Sequence, residues 1–60
     1  MMEYKHWRIM IGQRKDGWYY LVEILPNKTF KATYGPFAGP ESAEYDAKQV
    51  IDVLEKYLEW

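Results

Sequence analysis

The chain has no cysteine and a single histidine among its 60 residues. No disulfide and no thiolate metal centre can therefore form, and His6 cannot build a metal site alone. No stretch approaches the roughly 20 apolar residues of a membrane-spanning helix. The opening "MMEYKHWRIMIG" interleaves charges with apolar residues and lacks the continuous core of a signal peptide. A nucleophile elbow, a P-loop lysine and the spacing of a dinucleotide fingerprint are all missing. The acidic residues between Glu41 and Glu59 fall mostly on the solvent side of a helix, as a solvated face does. These absences give no metal or cofactor signature and argue against an enzyme. They fit a cysteine-free protein of the reducing cytoplasm.

Net charge is also scarce, at −1, but it is unevenly spread. Six bases face three acids from Met1 to Tyr34, and two bases face six acids from Gly35 to Trp60. A basic front and an acidic back bear on partners rather than on fold.

Aromatic rings are what the chain has in quantity: three Trp, six Tyr and two Phe. A chain this short makes one domain, residues 1–60, that buries only about 60% of its unfolded surface. Large rings are one compensation, since each removes roughly 150–250 Å² from water. Self-association, as a homodimer, is another.

Alternation reads as three strands, over about residues 4–11, 18–25 and 29–34. "GQRKDG" and "PNK" form the intervening turns, through Asp16-Gly17 and Pro26-Asn27. "GPFAGP" then breaks regular structure, with Phe37 anchoring the crossover. A helix follows over about residues 40–58, opened by Pro40 at its first position with Glu41 and Glu44 near its positive end. Ala43, Ala47, Val50, Ile51, Leu54, Tyr57 and Leu58 share one face of that helix. Glu41, Glu44, Lys48, Asp52, Glu55, Lys56 and Glu59 take the other.

The expected fold is α+β, a three-stranded antiparallel meander backed by one C-terminal helix. Trp7, Ile9, Ile11, Tyr20, Val22, Ile24, Phe30, Ala32 and Tyr34 lie beneath the helix. The strand "GWYYLVEI" then raises a question, because one helix covers only one face of a sheet. Arg8, Met10, Tyr19, Leu21, Lys31 and Thr33 are expected on the uncovered face, beside Glu23. Tyr, Met and Arg are residue types enriched at the centres of protein interfaces. The expected function is a non-enzymatic interaction protein, an inhibitor or regulator that meets a protein partner or its own copy through this face. Val53 and Trp60 mark a possible second patch, although Trp60 can equally fold back onto the core. Capture of a small planar ligand by rings at an oligomer interface is a third reading.

From "GWYYLVEI" through "KTFKATYGPFAGPESAEYDAKQV" the element order resembles the arm-type, AP2-like DNA-binding domains of phage integrases. In those domains three strands read a groove and a helix backs the sheet. The resemblance covers about residues 7–54 and implies Arg8, Arg14, Lys15, Tyr19, Lys28, Lys31 and Thr33 as nucleic-acid contacts. The departure is electrostatic: the face carries Glu23 and few bases, while phosphate neutralisation supplies most non-specific affinity. In size and style the chain also resembles small phage accessory proteins, including anti-CRISPR and other anti-defence proteins.

Overall fold

A computed structural model describes residues 2–26 and 30–58 of the chain, Leu58 by its backbone. Four strands precede one helix: β1 (Met2–Tyr4), β2 (Trp7–Arg14), β3 (Gly17–Ile24), β4 (Lys31–Phe37) and α1 (Pro40–Leu58). The strands form one antiparallel sheet in sequential order. The α+β class and the C-terminal helix are as the sequence suggests, but the sheet has four strands rather than three.

The extra strand comes from a turn that sequence signals do not mark. Lys5 and His6 both take positive φ, 50° and 71°, and they join β1 to β2 with Tyr4 opposite Trp7. A two-residue turn with both φ values positive normally selects Asn-Gly or Asp-Gly. "KH" gives no such cue, so the sequence reads as one straight strand from residue 4. His6 consequently sits in a turn and not in an edge strand.

β2 runs on to Arg14, which pairs with Gly17, so the hairpin loop shrinks to Lys15 and Asp16. β4 likewise continues beyond Tyr34 to Phe37. Trp18 pairs with Phe37 and Tyr20 with Tyr34, so β4 carries one residue more than β3 across that interval. This β-bulge absorbs Gly35 and Pro36 without ending the strand.

The core lies between sheet and helix. Trp7, Ile9, Tyr20, Val22 and Ile24 from the sheet meet Ala43, Ala47 and Ile51 from α1. Trp7 meets Phe30 edge to face at 5.6 Å, and Tyr20 stacks on Phe37 at 5.5 Å, geometries that ring quadrupoles favour. Phe37 thus anchors the crossover as expected. Tyr34 lies 5.3 Å from the Tyr20 ring but keeps one face in solvent. Tyr57 departs from the expected core stripe and is 81% exposed. The helix has there run past the sheet's cover.

Polar contacts fix the helix on the sheet. The Tyr20 hydroxyl donates to Asp46 Oδ2 at 2.7 Å, and Trp7 Nε1 donates to Glu55 Oε2 at 3.3 Å. Asp52 Oδ1 accepts from the Tyr4 hydroxyl at 3.0 Å and from Lys5 Nζ at 2.8 Å. Asp52 and Glu55 therefore do not point wholly to solvent, as helical phase alone suggests. Long donors on the sheet reach out to the flanks of the helix. Burial, helped by the bond to Asp46, pushes the Tyr20 hydroxyl far above its usual pKa. The Lys5–Asp52 bond holds the ammonium above its ordinary value and the carboxyl below its own.

Candidate interaction surface

The face of the sheet turned away from α1 is organised in cross-strand rows. The first row is ionic and alternates in sign. Glu3 pairs with Arg8, Arg8 with Glu23, and Glu23 with Lys31. Arg8 Nη1 lies 3.1 Å from Glu23 Oε1, and only 5% of Glu23 is exposed. A charge so well covered on an open face is tolerable because a guanidinium satisfies it.

The second row is Met10, Leu21 and Thr33, the first two half-buried and the third exposed. The third is centred on Tyr19, opposite Gly12 on β2 and against Gly35 on β4. A Cβ at Gly35 would lie 2.5 Å from Tyr19 Cδ2, whereas one at Gly12 would meet nothing within 4 Å. The Tyr19 ring therefore leans over β4, where Gly35 has no side chain to stop it. That tilt leaves the β2 side unfilled.

The result is an open recess of about 300 Å³ lined by Met10, Gly12, Arg14, Tyr19, Leu21 and Thr33 among others. Its far wall is held in place locally. Arg14 packs its guanidinium 4.6 Å from the Tyr19 ring centroid, within the range of a cation–π contact. The Tyr19 hydroxyl donates to Asp16 Oδ2 at 2.7 Å. That bond raises the phenol pKa, because ionisation would set two anions against each other.

Arg8, Met10, Tyr19, Leu21, Lys31 and Thr33 are thus gathered on one face by three adjacent strands. Lys15 lies apart, at the hairpin tip. Lys28 and Trp60 fall outside the described residues. Val53 is exposed and lies eight residues after Tyr45 and four before Tyr57 along α1, all three more than half exposed. Gly12 and Gly35 shape the recess, and sequence reasoning passed over both. A glycine inside "IMIGQR" was the available signal, since strand glycines often mark close approach of a ligand or another backbone. Among the described residues no cluster of His, Asp or Glu could hold a metal ion. No helix there is long and apolar enough to cross a membrane.

These features define a small α+β protein whose sheet is backed on one side. Compared with protein-family models, curated proteins and solved structures, the chain matches none.

Proposed function

We propose that this is a non-enzymatic interaction protein that binds a protein partner through the helix-free face of its sheet, acting as an inhibitor or regulator by occupancy. The recess on the β2 side of that face carries the reading. Half-buried Met10, Leu21 and Tyr19 surround a gap of about 300 Å³, the form in which an interface receives a partner's anchoring side chain. For an enclosed small-molecule site that volume sits at the bottom of the usual range of about 300–1,000 Å³. For nucleic acid the charge pattern is unfavourable. Arg8 is engaged by Glu23, which also lies opposite Lys31, so the ionic row largely neutralises itself before any phosphate arrives.

The test is a tagged capture from bacterial lysate in the presence of nuclease, comparing the wild type with Tyr19→Ser/Leu21→Gln. A stoichiometric protein retained by the wild type and lost by the folded variant is the expected result. Equal capture by both would rule out this face. Capture abolished by nuclease would transfer the face to nucleic acid, and return of the bait alone would transfer it to self-association.

A further inference from the structure

We infer that the edge of β2 from Ile11 to Arg14 is a docking slot for an extended peptide segment of the partner, added as a strand antiparallel to β2 and in line with β1. The inference rests on the protein-partner reading above and specifies how that partner is held.

Among the described residues β1 does not reach this part of β2. Its described residues pair with Trp7, Arg8 and Ile9 only. The next position in that register, opposite Met10, belongs to Met1, which lies outside the described residues, so the slot is counted from Ile11. Among the described residues no strand lies alongside Ile11–Arg14.

Backbone parity gives the slot its donors. The Leu25 amide donates to the His6 carbonyl at 2.8 Å, and these two residues continue the register in which Trp7 faces Ile24. Antiparallel pairs alternate between hydrogen-bonded and non-bonded. Residues 8, 10, 12 and 14 of β2 therefore aim their amides and carbonyls at β3. Trp7 and Ile9 turn theirs to β1, and Ile11 and Gln13 turn theirs outward into the slot.

The opposite edge of the sheet is blunted. The outer edge of β4 begins at exposed Lys31, then bulges at Gly35 and loses a donor at Pro36. Charge, bulges and proline are the usual protections of a sheet edge. The β2 slot carries no proline and no bulge.

The side chains around the slot state what it accepts. An added strand would place one residue opposite Gly12 on the outer face. With no side chain at Gly12, that residue can lie across the recess onto Tyr19 and Leu21, so a large apolar group fits. The residue opposite Arg14 shares the outer face with that guanidinium, so an acidic group fits. Opposite Ile11, on the helix side, an aliphatic residue fits. Read from its N-terminus, the segment is acidic, any residue, large apolar, aliphatic.

Area supports the same extension. Strands of three, eight, eight and seven residues, at about 3.3 Å per residue and about 4.8 Å apart, make a face of roughly 400 Å². A standard interface buries about 800 Å² of accessible surface per partner, and a contact that also runs over an edge comes closer to that size than the flat face alone. A second copy paired about Gly12 does not fit the slot, because Lys15 of one would fall opposite Ile9 of the other, where Met2 already sits.

The probe is a fluorescent ten-residue peptide with an Asp-Thr-Phe-Val centre, titrated by anisotropy against the whole protein. Gln13→Pro removes an amide that the fold leaves unused, and proline is accepted in a strand where that amide faces outward. Expected are micromolar binding by the wild type and at least a tenfold loss in Gln13→Pro with an unchanged melting curve. N-methylation of the Thr or Val amide should cost a similar factor, and methylation of the Phe amide, which faces away, should cost little. No wild-type binding, undiminished binding by folded Gln13→Pro, or equal loss from all three methylations would each overturn strand addition. If Gln13→Pro still captures the lysate partner that Tyr19→Ser/Leu21→Gln loses, the slot fails while the face survives. If both variants keep it, both readings fail.

Discussion

Gly35 and Gly12 flank Tyr19 on opposite sides, and replacing each by alanine separates two kinds of glycine. At Gly35 φ is +153°, and an added Cβ would stand 2.8 Å from the Trp18 carbonyl oxygen as well as 2.5 Å from the Tyr19 ring. The ring can move but the carbonyl belongs to a paired strand. Backbone strain of this kind costs about 1–3 kcal/mol, and forced repacking about as much again. Because the Tyr19 ring can give way, the expected loss is about 3 kcal/mol, in the lower half of the summed range of about 2–6. In a domain of this size each kcal/mol shifts the midpoint by roughly 4–8 °C. Gly35→Ala should therefore melt roughly 12–24 °C below the wild type by circular dichroism. A core this small supplies only about 3–5 kcal/mol in all, so the variant should be barely folded at room temperature. Gly12→Ala should hold its stability or raise it slightly, by up to about 1 kcal/mol, because strand glycine is entropically costly. Its Cβ nevertheless enters the recess and should weaken the probe peptide. If Gly35→Ala melts within 3 °C of the wild type, the account of the Tyr19 tilt, and of the recess it leaves, is wrong.

Further outcomes can be checked in urea and by pH titration. Arg8→Leu leaves the Glu23 carboxylate covered and without its hydrogen-bonded partner, and should cost about 3 kcal/mol; Arg8→Leu/Glu23→Leu should recover most of that loss. Tyr20→Phe deletes the bond to Asp46 and should lower stability by about 1 kcal/mol. Because the Tyr20 pKa is raised on folding, its contribution is complete below pH 10.0 and declines above it. Alkaline unfolding should then begin before its phenolate absorbance appears. The Lys5–Asp52 bond depends on pH at both ends. Its acid part is present above the usual Asp pKa of 3.8 and is lost as pH falls through the lower folded value. Its alkaline part holds below 10.5 and is lost as pH rises through the higher folded value. Lys5→Met should flatten both limbs of the stability profile, and an unchanged profile would show the pair to be inert.

The residues most readable from sequence were those with strict period. Alternation in β2 and β3 placed Trp7, Ile9, Tyr20, Val22 and Ile24 beneath the helix and Arg8, Met10, Tyr19 and Leu21 on the open face. Pro40 marked the helix start correctly. What escaped were features made by backbone conformation or long-range reach. Lys5 and His6 adopt a turn that their side chains do not announce. Gly35-Pro36 reads as a breaker, yet a bulge accommodates it because the partner strand supplies the ladder on either side. Tyr57 has the right helical phase for the core, but phase does not reveal where the sheet beneath the helix ends. Of the candidate site, the face was visible in the alternation. The recess was not, because it is made by a ring leaning toward one glycine and away from another.

The three carboxylates that receive the sheet's donors also settle where the helix lies along its axis. Ala43 and Ala47 are interchangeable neighbours one turn apart, so the apolar stripe tolerates sliding better than a stripe of varied side chains would. The carboxylates do not share that period. Advancing the helix by four residues, about 6 Å, would bring Val50 to the Tyr20 hydroxyl and Lys56 to Lys5. Sliding it back by four would bring Ser42 to Tyr20, Lys48 to Lys5 and Ile51 to the Trp7 indole. Either shift sets two ammonium groups together. Asp46, Asp52 and Glu55 thus act as a vernier that admits a single setting. Without them the helix and sheet should still associate, but over several axial positions, and the amide resonances of α1 should broaden while those of β2 and β3 stay sharp.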